Sequence, residues 1–140
     1  MRIPKPSFEH LSRLTTDDGL YEHAEFSAPR TDHGYCVDDV GRGLVVAARQ
    51  PDPSERVMAL SRLYLDFTVD AFDAEGRAHN RRRENGQWAD EATTGDHWGR
   101  ALWGLGTAAS RCPDDDVRAL ALAAARTGFL GRTHHPRAMA

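Results

Sequence analysis

Two stretches of the 140-residue chain carry the same chemically capable residues in the same order. One reads Asp38-Asp39-Val40-Gly41-Arg42-Gly43-Leu44, the other Asp96-His97-Trp98-Gly99-Arg100-Ala101-Leu102. Asp38 aligns with Asp96, Gly41-Arg42 with Gly99-Arg100 and Leu44 with Leu102, at an offset of 58 residues (Arg42 to Arg100). A carboxylate at such a place can donate or accept a proton when its surroundings tune it. It can equally cap a helix or complement its dipole. Asp39 is the acid least explained by capping, because Asp38 already holds the cap-like slot. Arg42 and Arg100 lie three and four residues beyond Asp39 and Asp96. That spacing suits pairing within one helix, or contact with a sugar hydroxyl, a carboxylate or a phosphate. His33, Tyr35, His97 and Trp98 flank the two stretches, with His79 and Asn80 as further polar candidates. An aromatic face suits the apolar C–H face of a sugar ring. Trp103 reads instead as a packing residue beside the helical stripe.

The elements that must hold these residues are helices. Val40, Leu44, Ala47 and Ala48 form an apolar stripe that predicts a helix over about 37–49, stopped by Pro51 and Pro53. Ser54 is a good N-cap for a second helix over about 54–72. A third is expected over about 96–110 and a fourth over 114–130. Pro136-Arg137-Ala138 opens a fifth. Residues 1–36 read as irregular apart from a short helix near 7–14. The polar stretch 73–95 contains Asn85-Gly86, a strong hairpin signal, which suggests a small ribbon from 77–83 and 87–90.

The unit is therefore a helix with an acidic Gly-Arg start followed by a Pro-delimited second helix. Repeating helix pairs signal a solenoid or a closed helical toroid. Small residues at 41, 43, 99, 101, 104 and 106 allow close helix approach, so the Gly-Arg helices are expected to be inner and helix 114–130 outer. Pro136-Arg137-Ala138 would begin a third copy.

The segments His33–Leu44 and Thr94–Gly106 resemble bacterial proteins of the six-hairpin glycosidase-like superfamily, often labelled glycosyltransferases. The resemblance runs from about Pro6 to the last residue. It implies an all-α fold, part of an (α/α)6 toroid: about two helical hairpins, the start of a third, and the small β-ribbon between them. The implied domain spans 37–140, behind an irregular segment over 1–36. In such a toroid the inner-helix N-termini gather at one mouth. Asp39 and Asp96 would then be the catalytic carboxylates of glycosidic cleavage or transfer, spaced by the roughly 6.5–9.5 Å of an inverting pair. His33, Tyr35, Asp38, Arg42, His97, Trp98 and Arg100 would contact substrate. The implied partner is an oligosaccharide or glycoside, together with the remainder of a longer chain or a second copy. The alternative is a non-catalytic helical-repeat module that binds a glycan or a partner protein.

Composition limits the other classes. With 40% hydrophobic and 28% charged residues and a net charge of −3, a collagen-like, disulfide-framework or wholly disordered chain is excluded. A polybasic nucleic-acid binder is disfavoured, and Arg81-Arg82-Arg83 beside Glu84, Asp90 and Glu91 reads as a solvated turn. The 17 Arg and single Lys match GC-rich coding. Cys36 and Cys112 form no metal or disulfide pattern, and no His pair has metal-ligand spacing, so neither metal nor cofactor is expected. Gly104-Leu-Gly-Thr-Ala-Ala loosely matches a dinucleotide fingerprint but falls inside a helical pattern. No apolar run approaches a membrane span, and MRIPKPSFEH has no signal-like apolar core. A cytoplasmic location is expected, with no nucleic-acid or membrane partner.

Overall fold

The computed structural model describes residues 6–139. The elements run α1 (Glu9–Arg13), β1 (Thr15–Thr16), β2 (Gly19–Glu25), β3 (Ala28–Cys36), α2 (Val37–Ala48), α3 (Glu55–Asp70), β4 (Arg81–Arg82), α4 (Asp96–Arg111), α5 (Asp115–Gly128) and α6 (Pro136–Met139). The four long helices fall where the apolar stripes and caps place them. The Ser54 hydroxyl accepts from the Val57 N–H, and the Asp114 carboxylate accepts from the N–H groups of Asp116 and Val117. α2 has no such local cap. The Asn80 side chain serves instead, its Oδ1 accepting from the Asp38 N–H at 3.3 Å from 42 residues away.

The all-α expectation is wrong. Strands β1-β2-β3-β4 form an antiparallel four-stranded sheet in that order. The fold is mixed α/β, with about 50% of residues helical and 18% in strands, and it is not a toroid of helical hairpins. The described part of the segment 1–36 is likewise not irregular: most of 15–36 is strand. The expected ribbon is reduced to β4, which joins β3, and a single bridge from Arg82 to Trp88 across the Asn85-Gly86 turn.

The β2–β3 hairpin escapes a periodicity reading because only its base is buried. Leu20, Tyr21, Tyr35 and Cys36 enter the core, whereas the arm beyond them is exposed. The Tyr21 and Tyr35 rings stack at 4.8 Å, and Phe67 of α3 meets Tyr35 edge-on. Pro29 lies on the arm, which β4 does not reach. The register shifts between Tyr21 and His23, and Gly34 takes a φ of +65° beside that irregularity. At the tip Phe26 is 96% exposed with a φ of +54°.

The helices close over Val40, Leu44, Tyr64, Leu65, Leu105 and Ala121, all buried. α2 and α4 approach so closely that a Cβ on Gly41 would stand 2.9 Å from the Arg100 carbonyl oxygen. The same contact recurs one copy later, where a Cβ on Gly99 would stand 2.7 Å from the Ala138 Cα. The glycine of each Gly-Arg start thus seats the backbone of the next. The internal repeat is real as a packing device, although the fold built on it is not all-α.

Candidate functional site

The repeated acids and arginines form a ladder across helix N-termini. Asp38 pairs with Arg42 in its own helix and with Arg100 Nε of α4 at 3.3 Å. Asp39 shares Arg42 at 3.1 Å. Asp96 pairs with Arg137 Nη1 of α6 at 3.3 Å. Each aligned Asp therefore reaches the arginine of the following copy. The pairing of Arg100 with Asp96 that the spacing suggested is not made; Arg100 turns to Asp38 instead.

The structure places Asp39 and Asp96 in different surroundings. Asp39 faces the sheet, where one ligand atom each of Glu22, Cys36 and Asp39 lies within 4.8 Å of the others. β2, the end of β3 and α2 contribute one residue apiece, so no local spacing in the sequence could signal the group. This trio offers the donors that could hold a cation. Burial raises the Asp39 carboxyl above the usual range, against the opposing pull of Arg42. Burial also pushes the Cys36 thiol up to about 11, and its Sγ donates to Asn80 Oδ1 at 3.2 Å. Glu22 is held by Arg81 and has His23 Nε2 at 3.7 Å. Arg81 and Asn80 are themselves fixed by Asp90, whose two carboxylate oxygens accept their backbone N–H groups at 2.9 and 2.8 Å. His33 lies on the exposed arm, edge-on to His23 at 4.3 Å and 3.5 Å from Asp32.

Asp96 instead lines a recess of about 860 Å³ between α4, the end of α5 and α6. That volume falls within the range of small-molecule sites, about 300–1,000 Å³. Trp98, Leu102, Trp103, Phe129 and Met139 give it an apolar wall, and Arg100, Arg132, Thr133 and Arg137 add polar groups. Trp103 is 47% exposed, with the Arg100 guanidinium 6.0 Å above its ring centroid. The segment after α5 is tied to the start of α4 by two hydrogen bonds. Thr94 Oγ1 donates to the Arg132 carbonyl at 2.8 Å, and Thr133 Oγ1 to the Thr94 carbonyl at 2.6 Å.

The two aromatic residues singled out as platforms are core residues. Tyr35 is 2% exposed and its hydroxyl bonds Thr16. Trp98 is 6% exposed and its Nε1 donates to the carbonyls of Gly76 and Gly128. His97 Nε2 lies 2.8 Å from the Ala78 carbonyl oxygen. Trp103, read from the sequence as packing, is the indole that faces the recess. Its spacing of three from Arg100 was the available signal. Glu22, Arg132 and Arg137 were not legible as site residues.

No protein-family model matches the chain, and no curated protein matches it. No helix among the described residues is long and apolar enough to cross a membrane.

Proposed function

We propose that this protein binds a carbohydrate in the recess between α4 and α6. The observation that carries the reading is the half-exposed Trp103 ring set among Asp96, Arg100, Arg132 and Arg137. A flat indole receives the C–H face of a pyranose, and planar charged groups around it receive the hydroxyls. Glycan-array binding tests this directly. The native chain should retain at least one glycan that Trp103→Ala loses. Array binding that Trp103→Ala leaves unchanged would refute the site, and an array with no bound glycan would refute the function.

A second reading rests on Glu22 and Asp39. Their oxygens lie within 4.8 Å, close to the roughly 5–5.5 Å of a retaining carboxylate pair and well short of an inverting one. Asp39, with its raised affinity for a proton, would be the acid and Glu22 the second carboxylate. This supports bond cleavage at the sheet side of α2. Asp39→Asn and Glu22→Gln should each abolish turnover of a glycoside that the native chain hydrolyses, with the native fold retained. Retained turnover in either variant would dismiss the pair.

A further inference from the structure

We infer that the recess selects carbohydrates carrying an anionic group, a carboxylate or a phosphate. This rests on the carbohydrate-binding reading and adds the chemical class of its ligand. Three arginines and one acid, Asp96, line the recess, and Asp38 pairs with Arg100 beside it, so Arg132 is the lining arginine with no carboxylate partner among the described residues. The acid is already answered, because Arg137 holds Asp96 at 3.3 Å. The arginines are not used up. Arg100 gives Nε to Asp38; its two Nη groups make no hydrogen bond among the described residues. Arg132 spends Nη1 on the carbonyls of Phe129, Leu130 and Gly131 at the end of α5. Its Nε and Nη2 have no hydrogen-bond partner among the described residues.

A guanidinium presents five donors in a rigid plane, so donors left over after one structural bond still form a fork for two anionic oxygens. Charge-assisted bonds of that kind are stronger than those to neutral hydroxyls. Trp103 supplies the part of the site that is indifferent to charge. A neutral sugar would thus stack without answering the arginines, and a charged one would do both.

Titration of the full chain with glucose, glucuronic acid, glucose 6-phosphate and inorganic phosphate, followed by NMR, decides the matter. The expected result is at least one charged sugar binding about tenfold more tightly than glucose. The preference should shrink severalfold in Arg100→Gln and in Arg132→Gln, the two arginines with donors left over, with melting curves checking that each variant folds. Preference for only one charged sugar would identify its anion as the one recognised. Equal binding of glucose and both charged sugars would overturn the inference while leaving the carbohydrate reading in place. Inorganic phosphate binding as tightly as glucose 6-phosphate, with neither glucose nor glucuronic acid bound, would overturn both, since the sugar would then contribute nothing. No binding of any sugar, here and on the array, would also end both.

Discussion

At the residue scale two tryptophans and the site aspartates have separated by environment. Trp98 and Trp103 lie five positions apart in one helix, yet one is sealed under two carbonyl acceptors and the other faces the recess. Trp98→Ala should lose about 3–5 kcal/mol of stability in denaturant unfolding, the usual cost of deleting a buried aromatic. Trp103→Ala should lose less than about 1 kcal/mol, as exposed positions do, and should lose glycan binding. Asp39 has a pH signature. Its folded-state affinity for a proton is raised by burial, so its contribution to stability is fully present below the ordinary carboxylate range. That contribution is lost as pH rises through the raised folded value. Asp39→Asn removes the ionisation, so the melting temperature of the variant relative to the native chain should rise between acid and neutral pH. A parallel pair of pH curves would refute the burial of Asp39.

At the element scale, the long helices were legible from their apolar stripes, with a capping side chain marking the start of two of them. Ser54 and Asp114 cap α3 and α5 as their residue types suggest. The β2–β3 hairpin was not legible. Its buried base is only three residues long in each of two strands, so no alternating run is long enough to register. Glu22 stayed hidden with it, and so did the remote cap that Asn80 places on α2. Asp90 holds the Asn80–Arg81 backbone that provides this cap and the Glu22 partner. Asn80→Ala should therefore destabilise the chain by about 1 kcal/mol, the loss typical of an N-cap. The repeat makes a sharper demand. Gly41→Ala must push a methyl against the Arg100 carbonyl and should cost about 1–3 kcal/mol. Gly106→Ala, in α4 with open space around it, should be neutral or stabilising by up to about 1 kcal/mol. Equal effects of the two substitutions in thermal or denaturant unfolding would contradict the close α2–α4 approach.

At the scale of the whole molecule, the Gly-Arg repeat describes a true contact ladder, while the architecture around it mixes a sheet with the helices. The sheet draws Asp39 toward Glu22 and Cys36, and α6 draws Asp96 toward Arg137. The two acids read from the sequence as a catalytic pair thus serve different faces, and the apolar recess falls on the Asp96 face. Exposed Phe129 and Met139 lie with Trp103 along that recess. The most direct test of the carbohydrate-binding account is a set of 1H–15N spectra recorded while glucose and glucuronic acid are added. The account predicts that the Trp103 indole resonance and the amides of Thr133 and Arg137 shift with at least one sugar, while those of Glu22, Cys36 and Asp39 stay in place. Shifts confined to Glu22, Cys36 and Asp39, or no shift with either sugar, would contradict it.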